Sequence, residues 1–180
     1  MMRYFVLLPL ALAFEVVAKL SCWWLPLFAE LRNGPALNNN AEEVGPRLPR
    51  WLAWFDTPDN SLWGDTGWRT EHCPDHWDDY LGMVLWLWRN SACGFSRSVL
   101  AARVLAFEID HYGDPYVSHN GPHYGAFYAS DGLHFQFKAA FPLAGLRLQI
   151  NLGWQMDTMV KNGAAEDLCH YKFSIKVKRP

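Results

Sequence analysis

The 180-residue chain is 51% hydrophobic and only 19% charged, with 10 Trp and a formal net charge of −2. A charged share below the roughly 25% of ordinary soluble domains points towards a membrane or a large partner, and the near-neutral balance excludes a protein that coats nucleic acid over its whole surface, because such binding needs counterion release by many Lys and Arg. Four scattered cysteines, Cys22, Cys73, Cys93 and Cys169, form no CxxC pair, which excludes a zinc ribbon or a thioredoxin-like motif.

Tyr4 to Phe28 is the longest apolar run. As a helix rising roughly 1.5 Å per residue it is long enough for a hydrocarbon core of about 30 Å. Pro9 and Pro26 punctuate it, and Glu15 and Lys19, four residues apart, share one helix face and pair there. Two charges suit a helix lying in the interface or packed on protein as well as one that crosses. Arg3 followed by apolar residues also has the form of a secretory signal, but no small-x-small site follows, and Lys19 stands where a lipoprotein box before Cys22 needs an apolar residue. The predicted first element, 1–32, is therefore a membrane-associated or packing helix with Phe14, Trp23 and Trp24 at the interface. If it spans, Arg3 puts its start in the cytoplasm.

Asn33-Gly34-Pro35, Asn38 to Asn40 and Gly45-Pro46 read as a linker over 33–46. Beyond it, 47–180 is expected to form a single α+β domain, helical over 47–108 and β-rich over 109–180. LPRWLAWF, Leu48 to Phe55, reads either as a short core helix or as an interfacial collar that sets Trp51 and Trp54 at the headgroups. Next comes an acidic loop with Asp56, Asp59, Asn60 and Asp65. Its oxygens would suit calcium, yet it lacks the alternating acids, central Gly and closing Glu of an EF-hand. Turns made by Asp, Asn and Pro58 and anchored by Trp63 and Trp68 explain it without an ion. His72, Cys73 and His76 are zinc-ligand types at close spacing; a helix start rich in Asp and His is the plainer alternative.

Three segments carry a resemblance. LPRWLAWFDTPDNSLWGDTGWRTEH (Leu48 to His72), WLWRNSACGF (Trp86 to Phe95) and LQINLGWQM (Leu148 to Met156), together with the apolar start, are similar to a family of small uncharacterised proteins of tailed bacteriophages and prophages. The chain departs from that pattern at Trp63, where an acid is usual, and at Gln155, where a Lys is. The resemblance implies a phage origin and carries no activity, so no catalytic residue transfers.

Tyr80 to Trp88 is apolar for too few residues to span and is expected to be a buried helix or half of a membrane-dipping element; Ser98 to Ile109 reads as a short helix passing into a strand. From about Gly125 the period becomes two. Leu133 to Phe141, Leu146 to Leu152 and Tyr171 to Val177 each alternate apolar and polar residues, the first two joined across Pro142-Leu143-Ala144-Gly145, so an antiparallel sheet of at least three strands is expected. Its apolar face should bury, leaving Lys138, Arg147, Lys172, Lys176 and Lys178 on a solvated basic face open to an anionic partner; lysines that merely guard sheet edges are the alternative.

GxSxG, HExxH, GxGxxG and a phosphate-cradling glycine loop are all missing. His111, His119, His123 and His134 near Asp110, Asp114 and Asp131 could form an acid–base pair, though turn histidines account for them. The expectation is a non-enzymatic, phage-encoded accessory protein at the host inner membrane, meeting lipid or an envelope protein. The alternatives are a virion or assembly component, with the apolar segment buried among other phage proteins, and a metal-dependent hydrolase using zinc or calcium.

Overall fold

The computed structural model describes residues 2–36, 41–73, 80–117, 124–162 and 166–178. The fold is α+β: an apolar N-terminal helix, short middle helices and a C-terminal antiparallel sheet. Two compact units divide the chain, Pro9–Ser98 and Met1–Leu8 with Val99–Pro180. The chain passes between the units at residues 8 and 9 and again at residues 98 and 99.

In the first unit lie most of helix α1 (Met2–Ser21), strands β1 (Glu30–Ala36) and β2 (Ala41–Arg47), and helices α2 (Thr66–His72), α3 (Tyr80–Arg89) and α4 (Cys93–Ser98). The expected linker is instead an antiparallel pair, with Asn33 opposite Val44 and Arg32 opposite Gly45. Neighbours hold this strand-poor sequence in place. Ser61 donates a 2.7 Å hydrogen bond to Glu43, the Arg32 guanidinium bonds the Leu48 carbonyl, and a Cβ on Gly45 would stand 2.6 Å from that of Ser61. Leu25, Leu48, Leu62, Val84, Trp86 and Leu87 make the core. As expected, α3 is a helix with one buried side; α4 comes earlier than the predicted helix of 98–109. Gly94 opens α4 against the Ala53 carbonyl, where a Cβ would come within 2.0 Å.

The second unit contains β3 (Ala102–Leu105), β4 (Asp110–Gly113), β5 (Gly125–Ser130), β6 (Phe135–Leu143), β7 (Leu146–Trp154), α5 (Asp157–Asn162), β8 (Glu166–Cys169) and β9 (Tyr171–Lys178). β3 pairs with β8, and the five-stranded antiparallel sheet runs in the order β4-β5-β6-β7-β9. Ala144 and Gly145, at φ 51° and 76°, close β6 onto β7. Two left-handed residues match the twist of the strands they join.

Register sorts the sheet into two faces. Phe135, Trp154 and Tyr171 lie in a row across β6, β7 and β9; Phe137, Leu152 and Phe173 form the next; Ala139, Ile150 and Ile175 the third; Phe141, Leu148 and Val177 the fourth. Tyr4 of α1 covers the first row, with ring centroids 4.7 Å from Tyr171, 5.1 Å from Phe135 and 5.8 Å from Trp154. Beyond that row the apolar face is open: Phe173 is 43% exposed, Ile175 57% and Val177 58%.

The polar face is the covered one, which reverses the expected arrangement. Gln136, Lys138, Arg147 and Gln149 are buried. Lys138 donates to the Asp157 carboxylate at 2.9 Å and to the Pro115 carbonyl at 3.1 Å, and the Arg147 guanidinium lies 5.1 Å from the centre of the Tyr124 ring. Gln136 donates to Asp157 and accepts from the Met156 and Asp157 N–H groups. Lys138 and Arg147 therefore do not belong to a solvated basic face: α5 and Pro115 supply the partners of Lys138, and Tyr124 lies against Arg147. Lys176 and Lys178 are exposed and Lys172 is half-buried. All four cysteines are free thiols, and Cys22, Cys73 and Cys169 are buried.

Burial pushes the Asp157 carboxyl up, but Lys138, then Lys161 and Gln136, outweigh it and hold the group below its ordinary range. Its contribution to stability is thus present above about pH 4 and lost as pH falls through the lowered value. Lys138→Met, which leaves Asp157 with Lys161 and Gln136 but without its buried ammonium partner, should reduce unfolding stability by about 1.5 to 3 kcal/mol at pH 7. Lys178→Met on the exposed edge should change it by less than about 0.5 kcal/mol, measured by denaturant unfolding of both variants.

Candidate membrane-facing surface

α1 touches protein along one narrow stripe. Tyr4 and Ala18 are buried, and Cys22, just past the helix end, continues the line. Phe14 belongs to this stripe: its ring stacks 4.1 Å from Phe95 and 5.0 Å from Phe55. Phe14, expected at the interface, packs on protein instead, because residue 14 falls on the packed side of the helical repeat.

Both charges in the middle of the helix lie beside that stripe. Glu15 and Lys19 pair at 3.1 Å, Ser91 donates to Glu15 at 2.5 Å, and Lys19 donates to the Trp88 carbonyl and lies 5.0 Å from the Trp88 ring. The rest of the circumference carries Met2, Phe5, Val6, Leu10, Leu12, Val16, Val17 and Leu20, each at least 40% exposed. A helix at a water boundary normally buries its apolar stripe and exposes its charges. Here the charged pair meets protein and the uncharged face is open. Only 17% of its most apolar stretch is buried. Large apolar side chains left open together mark a contact with lipid or a partner more often than a bare surface in water.

Aromatic residues extend this surface. Trp23, Trp24, Phe28, Trp51 and Trp54 are all exposed. Trp24 meets Phe28 edge-on at 5.8 Å, and Phe28 meets Trp51 at 5.6 Å. LPRWLAWF forms a single 3-10 turn, Arg50–Leu52, which buries Leu52 and leaves Trp51 and Trp54 exposed, Trp54 meeting Phe95 edge-on at 5.6 Å.

The acidic loop is a packed turn. Asp65 caps α2 by accepting from the Trp68 N–H at 2.7 Å and lies 3.6 Å from Arg89; Asp59 pairs with Arg97 at 2.5 Å. Thr57 accepts from the Trp86 indole at 3.0 Å, and Arg47 donates to the Asn60 carbonyl at 3.1 Å. Asp56 accepts from the Thr57 N–H. The oxygens of Asp56, Asp59 and Asp65 thus serve separate partners: Thr57, Arg97, and Trp68 with Arg89. His72 is exposed and stacks on Trp68, and Cys73 is buried; His76 lies outside the described residues, as do His119 and His123. Among the described residues no three His, Cys, Asp or Glu side chains converge.

Of the histidines near acids, the structure brings together Asp131 and His134. Asp131 accepts from His134 Nδ1 at 2.9 Å, and Arg3 donates to Nε2 at 3.0 Å, which fixes the neutral Nδ1–H tautomer. With its second nitrogen taken by a guanidinium, this imidazole ties the first turn of α1 to the β5–β6 connection instead of presenting a base. His111 is exposed on β4.

Residues 1–179 match the sequence model of a family of unknown function, DUF7338. No curated protein and no solved structure matches the chain.

Burial pushes the Asp56 carboxyl up to about 6, against the Thr57 N–H, the Arg47 guanidinium, the Leu48 N–H and Arg32. A folded value above the unfolded one means that the folded state holds this proton more tightly, so this group's effect is a loss of stability as pH rises from about 4 to about 6. Asp56→Asn should remove that slope and leave the variant more stable than the parent at pH 7 by about 1 to 3 kcal/mol, with the two converging near pH 4, as read by thermal unfolding across that range.

Proposed function

The chain belongs to this family of unknown function, and we propose from its own surfaces that it is a membrane-associated accessory protein without a catalytic role, held at the host envelope by the open face of α1. The observation that carries the reading is the open apolar face of that helix: Leu10, Leu12, Val16, Val17 and Leu20 stand open, while the partly exposed Glu15 and Lys19 pair with each other and are engaged by Ser91 and Trp88. Hydrocarbon accepts such a face, and water does not. Exposed Trp23, Trp24 and Trp51 supply amphipathic rings suited to headgroup depth. The phage setting and the host inner membrane rest on the resemblance of Leu48 to His72, Trp86 to Phe95 and Leu148 to Met156.

The helix lies in the interface instead of crossing it. Phe14 and Ala18 pack on protein and Glu15 and Lys19 meet Ser91 and Trp88, so protein accompanies the middle of the helix. Binding of this kind grows with buried apolar area and survives salt.

The test uses the full chain and vesicles of phosphatidylethanolamine and phosphatidylglycerol in a flotation assay. The parent should float, and molar salt should not release it. Leu10→Asp and Val17→Asp, at open positions that leave the packed stripe intact, should each weaken partition by about tenfold or more while near-UV circular dichroism stays unchanged. A parent chain that stays folded and fails to float would overturn the reading.

A further inference from the structure

We propose that the chain of contacts Asp131, His134 and Arg3 is a proton-operated latch on the first turn of α1: with the His134 ring neutral the turn is held on the sheet, and a proton taken up at Nε2 loosens it. The inference stands on contacts inside one unit and does not depend on what α1 meets outside.

The short connection between β5 and β6 builds the fixed half of the latch. The Asp131 carboxylate accepts from the Leu133 and His134 N–H groups at 2.9 and 2.6 Å, which holds it in place. Its other oxygen takes the His134 Nδ1–H at 2.9 Å, and the imidazole, buried, meets the Trp154 ring edge-on with centroids 4.8 Å apart. A ring held this way presents Nε2 in one direction. Arg3 donates there at 3.0 Å, with its guanidinium 5.8 Å from the centre of the same Trp154 ring.

Nε2 can serve one donor. A neutral imidazole with its hydrogen on Nδ1 has a single lone pair, at Nε2, so Arg3 and a proton compete for the same site. Once the proton takes it, the ring is a cation that donates from both nitrogens, and the guanidinium meets repulsion where it had an acceptor. Asp131 favours the protonated ring, since it accepts from Nδ1 in both states and gains an ion pair in the second. Burial pushes the Asp131 carboxyl up, but the His134 ring and the His134 and Leu133 N–H groups outweigh it and hold the group low, so it stays charged while an imidazole titrates. The rings packed around His134 carry no charge in that range: Trp154, and beyond it Tyr4 and Tyr171, whose phenols burial pushes up. Arg3 is exposed, so a displaced guanidinium can turn into water, and Tyr4 stacked on Tyr171 is left as the remaining hold. Loss of a hydrogen bond from a charged donor should raise the undocked share of the turn about tenfold or more.

The test uses the full chain carrying Cys93→Ser and a nitroxide on Val6→Cys, an exposed position just past Tyr4, in lipid-free buffer. The His134 ring is followed by nitrogen-15 NMR from about pH 8 to about pH 5, the range in which imidazoles change charge. The mobile component of the label should rise about tenfold or more as the ring gains its proton, with near-UV circular dichroism unchanged. Arg3→Met, a change at an exposed side chain, should show the raised component already at the alkaline end and no further rise on acidification, because no donor is left to displace. His134→Gln, which offers Arg3 an amide oxygen and takes up no proton, should stay docked throughout; if that variant does not fold, parent against Arg3→Met decides. A label that stays immobile while the ring is protonated, a ring that gains no proton in this range, or an Arg3→Met chain that responds to acid as the parent does would each overturn the inference. So would a rise in mobility that comes with loss of the near-UV signal, because that is general acid unfolding.

Discussion

The ion pair between Lys138 and Asp157, closed off from water, permits the sheet to carry its polar face inward. An ammonium group removed from water without a partner would be prohibitive. With Asp157 and the Pro115 carbonyl on Lys138, and with Gln136 bonded to α5 through both ends of its amide, that side can be sealed. Once the polar side is inside, the aliphatic side has to be outside. The same logic governs α1, where Ser91 and Trp88 receive Glu15 and Lys19 and the leucines and valines are left facing away.

Tyr4 links the two arrangements. Its ring covers the first row of the sheet and its hydroxyl bonds the Lys172 carbonyl, while Tyr171 donates back to the Tyr4 carbonyl. Arg3, through His134, fixes the same turn from the other side. The helix is thus held by its first turn in one unit and by Phe14, Ala18 and Cys22 in the other, without using the open face for either. That face stays available because a few aromatic contacts do the holding.

Element types were legible in the sequence where period was strong. The alternation at Leu133 to Phe141 and Leu146 to Leu152 marked β6 and β7, the short connection at 142–145 became their turn, and Tyr80 to Trp88 became α3. The direction of the sheet was not legible. Alternation separates two sides but does not say which is covered, and assigning the apolar side to the core follows a rule that holds for chains surrounded by water. The clue available was the uncharged character of Gln136 and Gln149, amides that bury far more readily than the lysines beside them. The hairpin at 30–47 was hidden for another reason: its Asn, Gly and Pro residues oppose strand formation locally, and Ser61 and Leu48 hold it from outside the segment. The exposure of Trp51 and Trp54 could not be told from the sequence, which fitted a core helix as well, and Phe14 needed the helical phase that its stacking on Phe95 reveals.

None of the four thiols is joined to another, and three are sealed inside the packing. The architecture consequently owes nothing to covalent cross-links: packing, hydrogen bonds and ion pairs carry it, and the sulfur atoms serve as small apolar fillers.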